Sequence, residues 1–195
     1  MAKMSQSIKK RLSHESSDTL LACHIASSTT STLDPCVIKE RVRALDEQLR
    51  SRHLITVDVA GDGNCLFRCL SVGIYGHENG HSALRAAVTG HMLSELTVEF
   101  SPDVGADVLN YISSISCNGV WVGEDVILAA ADYLCRDILV YFAVSAASPQ
   151  VYSPSSATVT APPLKIAFYE PGHFRVVRER ATQDVRSMTV GGSSN

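Results

Sequence analysis

The sequence predicts an α+β domain, a sandwich in which helices flank a small mixed β-sheet. Three observations carry that expectation. Apolar residues recur at helical spacing over much of the stretch from 34 to 134, strand-length apolar or alternating runs follow at 138–144 and 164–169, and a β-branched run at 54–59 leads into a glycine-rich turn. Helices first and strands afterwards fit an α+β or a mixed three-layer arrangement.

Each element has a local reason. Asp34-Pro35 offers an N-cap followed by proline at the first helical position, and Ile38, Val42, Leu45 and Leu49 then recur on one face, which predicts a helix over 34–50. Leu54 to Val59 reads as a strand running into Gly61-Asp62-Gly63. From Cys65, Leu66, Cys69, Leu70 and Gly73 form a tight stripe of small side chains, the mark of a second helix. Leu84, Val88, Met92 and Leu96 predict a third helix over 82–96, and Val104, Val108 and Ile112 a fourth over 102–115. Asn118-Gly119 is a turn signal, and an alanine-rich helix is expected over 124–134. The strand at 138–144, a Ser/Pro/Ala loop at 145–163, a strand at 164–169, the turn Glu170-Pro171-Gly172-His173 and a strand from Phe174 to Val177 complete a predicted meander. The Ser/Thr-rich residues 1–32 read as a flexible lead-in, 33–179 as the folded domain and 180–195 as a frayed tail.

Composition narrows the function. A chain of 195 residues with 45% hydrophobic and 19% charged residues suits one soluble domain. A net charge of −3 gives no basic face for nucleic acid, so no nucleic-acid partner is expected. No apolar stretch approaches the roughly 20 residues that cross a bilayer, and no secretory leader is evident, so no membrane role is expected. Six cysteines without regular spacing, in a chain large enough to do without staples, suggest a reducing, intracellular setting, the cytoplasm, or the host cytoplasm for a pathogen's protein. A monomer is expected.

The chemistry concentrates at Gly61-Asp62-Gly63-Asn64-Cys65. A cysteine attacks as its thiolate, and the unpaired N–H groups of a helix start favour that anion. Flanking glycines permit a tight turn whose amides, over Asp62, Gly63, Asn64 and Cys65, can face an oxyanion. A histidine must serve as base, and among seven candidates His173 stands apart by its place in a Pro-Gly turn between two strands. Plain structural duties also fit these residues: Asp62 as a turn former, Asn64 as an N-cap, His173 as a turn histidine, Cys65 as a small core residue. A second constellation, Cys65, Cys69, His77 and His81, has a central gap shorter than zinc-finger spacing, so no metal or other cofactor is expected.

These residues resemble the ovarian-tumour (OTU) cysteine proteases. Asp62-Gly63-Asn64-Cys65-Leu66-Phe67-Arg68 is similar to the family's nucleophile motif, Gly76, His81 and Leu84-Arg85 to the segment after it, Trp121-Val122-Gly123 to its tryptophan-glycine turn, and Gly172-His173-Phe174 to its terminal histidine strand. The resemblance spans about 54–178 and implies an OTU-like fold and a deubiquitinase: cleavage after the Gly-Gly tail of ubiquitin or a ubiquitin-like modifier, with Cys65 as nucleophile and His173 as general base. It further implies a substrate channel near Trp121, Gly123 and Phe174, where Glu124 and Asp125 are candidates to receive the arginines of the tail. Many members carry Asp or Asn two residues after the histidine, where this chain has Arg175, which has no acceptor to offer an imidazole N–H. Asp62 is therefore the expected orienting acid. Arg175 also motivates a ubiquitin-binding pseudo-protease, and Gly191-Gly192 a protease that processes its own precursor.

Overall fold

The computed structural model describes residues 34–96, 102–143, 148–155, 159 and 161–180. The expected lead-in over 1–32, most of the tail beyond 180 and the Gly191-Gly192 pair lie outside these residues.

Helix α1 (Pro35–Ser51) starts where the sequence predicts: the Asp34 side chain accepts the Cys36 amide at 2.8 Å and Pro35 occupies the first turn. Strand β1 (Leu54–Val57) follows, then α2 (Cys65–Tyr75), a single 3₁₀ turn (Glu78–Gly80), α3 (His81–Leu96), α4 (Pro102–Ser116) and α5 (Glu124–Leu134). The second half supplies β2 (Ile138–Phe142), β3 (Gln150–Tyr152), β4 (Leu164–Tyr169) and β5 (His173–Glu179). Helix α2 stops at Gly76, which takes the left-handed conformation that ends helices and donates its amide to Val72.

The five strands form one sheet in the order β1-β5-β4-β2-β3. It is mixed: β2 and β4 run parallel, and the other neighbours antiparallel. The expected meander is therefore corrected. The 145–163 stretch contains β3, which turns back on β2, and the chain must then return before β4, so β4 ends up parallel to β2. Three residues amid Ser, Pro and Ala carry too short an alternation to declare β3 in sequence.

Both faces of the sheet are covered, which explains the unbroken apolar run of β2. Ile138, Val140, Leu164, Ile166, Phe174 and Val176 join the larger core with α2, α3, α4 and α5. Tyr141, Ala167, Tyr169 and Val177 point the other way, onto Leu45 and Leu49 of α1. The result is three layers, with α1 the one helix on that side among the described residues. Because β1 and β5 are antiparallel, with Val57 opposite Val176, the end of β1 lies beside the start of β5. The nucleophile loop and the histidine turn thus meet at one end of the sheet.

Candidate active site

Cys65 opens α2, as expected, yet only 7% of it is exposed. Burial pushes its thiol up, and the nearby amides of Phe174, Leu66 and Cys65 itself offset this only in part. The expectation of a depressed thiol from helix position alone is corrected: desolvation outweighs the helix start. The Phe174 amide reaching Cys65 also shows that the strand after His173 abuts Cys65.

His173 is the first residue of β5. Its Nε2 lies 2.7 Å from Asp58 Oδ1. Donation to a carboxylate requires the proton on Nε2, leaving the Nδ1 lone pair available. The Nδ1 edge faces the nucleophile loop, since a Cβ on Gly61 would stand 3.8 Å from both Nδ1 and Cε1. Burial opposes the ionisation of Asp58, but the His173 hydrogen bond and the Arg175 charge outweigh it and hold its pKa below the ordinary value.

The carboxylate hydrogen-bonded to His173 is therefore Asp58, and not Asp62 as expected. Both Asp62 oxygens are engaged by Arg68, Oδ2 with Nη2 at 2.6 Å and Oδ1 with Nε at 3.0 Å, and Oδ1 also accepts the Asn64 amide at 3.2 Å. The Arg68 hydrogen bond holds the Asp62 carboxyl well below the usual carboxylate range. Arg68 reaches Glu78 too, at 3.1 Å, so Asp62 braces the loop against the 3₁₀ turn. Local reading missed Asp58 because it lay inside the predicted strand 54–59, with nothing in the neighbouring residues to tie it to a histidine 115 positions on. The available signal was strand pairing: continuing the β1–β5 register past Val57↔Val176 sets Asp58 opposite Arg175, on the face His173 shares.

The loop's rigidity comes from a residue whose role the sequence did not disclose. Arg85, on α3, is 2% exposed and carries its guanidinium 4.5 Å over the Phe67 ring. It donates to Ile115 O (2.6 Å), Gly63 O (2.9 Å), Asn64 Oδ1 (2.9 Å) and Val120 O (2.8 Å). Asn64 does not cap α2 with its side chain; its Oδ1 also accepts the Gly119 amide at 3.0 Å. Arg85 and Asn64 together tie the nucleophile loop to the 115–120 turn. The two backbones pack so closely that a Cβ on Gly63, at φ +80°, would fall 1.8 Å from Gly119 O.

The expected channel residues are distributed unevenly. Trp121, 41% exposed, lies on Gly172, whose Cβ would sit 1.9 Å from the indole, so Trp121 is beside the histidine turn. Phe174 is buried against Phe168, ring centroids 5.0 Å apart, and offers its amide rather than its ring to the site. Gly123 precedes α5 as its N-cap. Asp125 accepts the Tyr111 hydroxyl at 2.7 Å and Glu124 the Gln150 amide at 3.0 Å, so internal donors already engage both acids. Of the zinc-like set, His81 Nδ1 pairs with Glu78 O at 2.9 Å, and no group of three potential ligands stands together among the described residues. No helix among them is long and apolar enough to cross a membrane.

This geometry can be set beside known proteins. The sequence model of the OTU-like cysteine proteases matches residues 60–174. OTU domain-containing protein 1 of Mus musculus is 32% identical over 110 residues, 54% of this chain and 24% of that protein. The chain thus matches about a quarter of that relative's length. The solved OTU domain of OTUD1 aligns with a TM-score of 0.63 at 25% identity, covering 73% of this chain and 97% of that one. The Hazara virus OTU, solved bound to ubiquitin, shares the fold with a TM-score of 0.50 at 14% identity, over 68% and 85% of the two chains. Helices around a small mixed sheet are the architecture common to them, Asp58 lies just ahead of the matched segment, and with more than half of its residues inside that match this chain belongs to the OTU-like cysteine protease family.

Proposed function

We propose that this chain is a ubiquitin-directed thiol hydrolase that cleaves isopeptide or peptide bonds after the C-terminal glycine of ubiquitin or a ubiquitin-like modifier. The observation that carries the reading is the His173 ring, held at Nε2 by Asp58 with its Nδ1 edge toward the loop of Cys65. His173 Nδ1 takes the Cys65 proton, and the thiolate sulfur adds to the carbonyl carbon of the terminal glycine. Charge on the former carbonyl oxygen is met by amides of the Asp62–Cys65 loop, where the Asn64 N–H must exchange its Asp62 partner to take part. The imidazolium returns its proton to the leaving lysine amine, the C–N bond breaks and a thioester remains. Water, deprotonated by His173, then adds to that thioester and releases the free carboxylate and the thiol.

Because burial disfavours the free thiolate, the anion is stabilised chiefly by the imidazolium that forms with it. The diglycine tail would run past Trp121, which packs on the Gly172 backbone beside the histidine turn. The ubiquitin assignment is supported by family membership and by what the Hazara virus protein binds. The pseudo-protease reading loses its motive, since Asp58 supplies the acceptor that Arg175 lacks. A panel of ubiquitin dimers of defined linkage, incubated with wild type and Cys65→Ala, tests the proposal. Cleavage of at least one linkage by wild type alone is expected; no cleavage of any dimer or of a linear fusion by folded wild type would refute it.

A further inference from the structure

We propose that Arg175 is a positioning residue of the Cys65–His173 pair, fixing the Asp58 carboxylate beneath the imidazole from a seat on Tyr169. The inference rests on the catalytic reading above and adds a role for the residue that departs from the family's pattern. Position 175 is two residues beyond His173 on β5, so both side chains leave the same face of the strand. The register that pairs Val57 with Val176 brings Asp58 opposite Arg175 one step further on. The same Asp58 Oδ1 that accepts from His173 lies 3.3 Å from Arg175 Nε. One oxygen is thus shared between the imidazole and a guanidinium.

Asp58 needs such a partner. Its side chain is 64% exposed and stands past the last paired residue of β1; the Val59 amide also donates to Oδ1, at 3.1 Å, but a carboxylate tied through one oxygen can still swing about it and trade its histidine for water. Arg175 is better fixed: its guanidinium lies 4.5 Å over the Tyr169 ring, and its Nε, buried and without a hydrogen-bond partner among the described residues, has the Asp58 carboxylate within ion-pair distance. Tyr169 is anchored in turn, its hydroxyl donating to Asp46 of α1 at 2.5 Å and lying 3.4 Å from Thr56 Oγ1. Burial and the Asp46 contact push the Tyr169 hydroxyl up to about 12, so it remains a neutral donor. Arg41 of α1 grips Glu170, in the turn before His173, through both carboxylate oxygens. From α1 through Tyr169 and Arg175 to Asp58 runs a continuous set of contacts, and the histidine stands at its end. In members with Asp or Asn at this position one side chain would orient the ring directly; here the strand position holds the cation and the neighbouring strand supplies the acid.

The test compares turnover of a C-terminal ubiquitin amide reporter by wild type, Arg175→Met, Arg175→Lys, Asp58→Ala and the double variant Asp58→Ala/Arg175→Asn, each checked for folding by circular dichroism. Arg175→Met is expected to lower kcat about tenfold to a hundredfold, as a misplaced catalytic group does, with KM changed less than about twofold. Arg175→Lys, which keeps charge but not the planar stack, should fall between. The double variant should recover at least about tenfold in kcat over Asp58→Ala, because the introduced side-chain amide would offer its carbonyl to Nε2 from the strand face that His173 itself occupies. Wild-type kcat in Arg175→Met, or no recovery in the double variant, overturns the role of Arg175 while leaving the catalytic reading intact. If Arg175→Met does not fold, Arg175→Lys and the double variant decide. An inactive, folded wild type overturns the catalytic reading and the positioning role with it.

Discussion

Asp58 Oδ1 and His173 Nε2 are joined at 2.7 Å although 115 residues separate them in the chain. The pairing exists because β1 and β5 are adjacent and antiparallel, so the residue that overruns β1 lands beside the residue that begins β5. An orienting acid from a neighbouring strand does for the ring what a same-strand acceptor would do: it selects the tautomer and fixes the plane.

Removing Asp58 should therefore act on turnover. Asp58→Ala is expected to lower kcat roughly a hundredfold to ten-thousandfold with KM little changed, since orientation and imidazolium stabilisation are lost together. Steady-state kinetics on a ubiquitin C-terminal amide reporter measure this. A variant within threefold of wild type would show that the contact is incidental.

Asp62 should behave differently, because its partner is Arg68. Arg68→Met is expected to cost about 1 kcal/mol of stability at neutral pH, a modest figure because Asp62 is substantially exposed. The Asp62 pKa is depressed in the folded state, so its contribution is complete above the ordinary aspartate pKa and is lost as pH falls through the folded value. Thermal melts of wild type and variant should thus differ at pH 7, with the gap beginning to narrow below about pH 4 and closing only as the much lower folded value is approached. A gap that persists unchanged at low pH would contradict the pairing.

Arg85 is expected to be the costlier loss. Arg85→Met takes a buried donor from three backbone carbonyls and leaves Asn64 Oδ1 with the Gly119 amide alone, at a cost of about 3 kcal/mol or more, and Arg85→Lys recovers little because one ammonium does not span those acceptors. Chemical denaturation with unchanged slope reports the loss directly. A midpoint matching wild type would show that the 115–120 turn and the nucleophile loop hold without the arginine.

Gly63→Ala tests the close approach of those two segments. Its Cβ would lie 1.8 Å from Gly119 O, backbone against backbone, and φ is already positive, so no rotamer relieves it. Destabilisation of more than about 2 kcal/mol and loss of turnover are expected. A stable, active alanine variant would contradict the packing.

Much of this molecule was legible from local pattern. Leu45 and Leu49, Val88 and Met92, and Val108 and Ile112 are buried where helical spacing set them, because one apolar face against a sheet is a local property of the chain. Cys65 and His173 stood out for the same reason: a helix start after glycines, and a histidine in a Pro-Gly turn. What pattern could not supply was neighbourhood. Asp62 was expected beside the ring and Asp58 was not, because strand order decides which carboxylate meets it, and the thiol's expected acidity failed because helix position says nothing of burial. Arg85 belonged to the Leu84-Arg85 pair that resembles the family, but its role stayed hidden, its buried contacts lying 21 to 35 residues away in sequence.

Covalent capture tests the assignment of Cys65 most directly. Wild type, Cys65→Ala and His173→Ala are each incubated with ubiquitin bearing a C-terminal electrophile, and the adduct is located by intact mass and peptide mapping. One ubiquitin is expected on Cys65 of wild type, none on Cys65→Ala, and greatly slowed capture by His173→Ala, with the buried Cys69, whose thiol burial pushes well up, unmodified throughout. A folded wild type that captures no ubiquitin, or that carries it on any other cysteine, would contradict the assignment of Cys65.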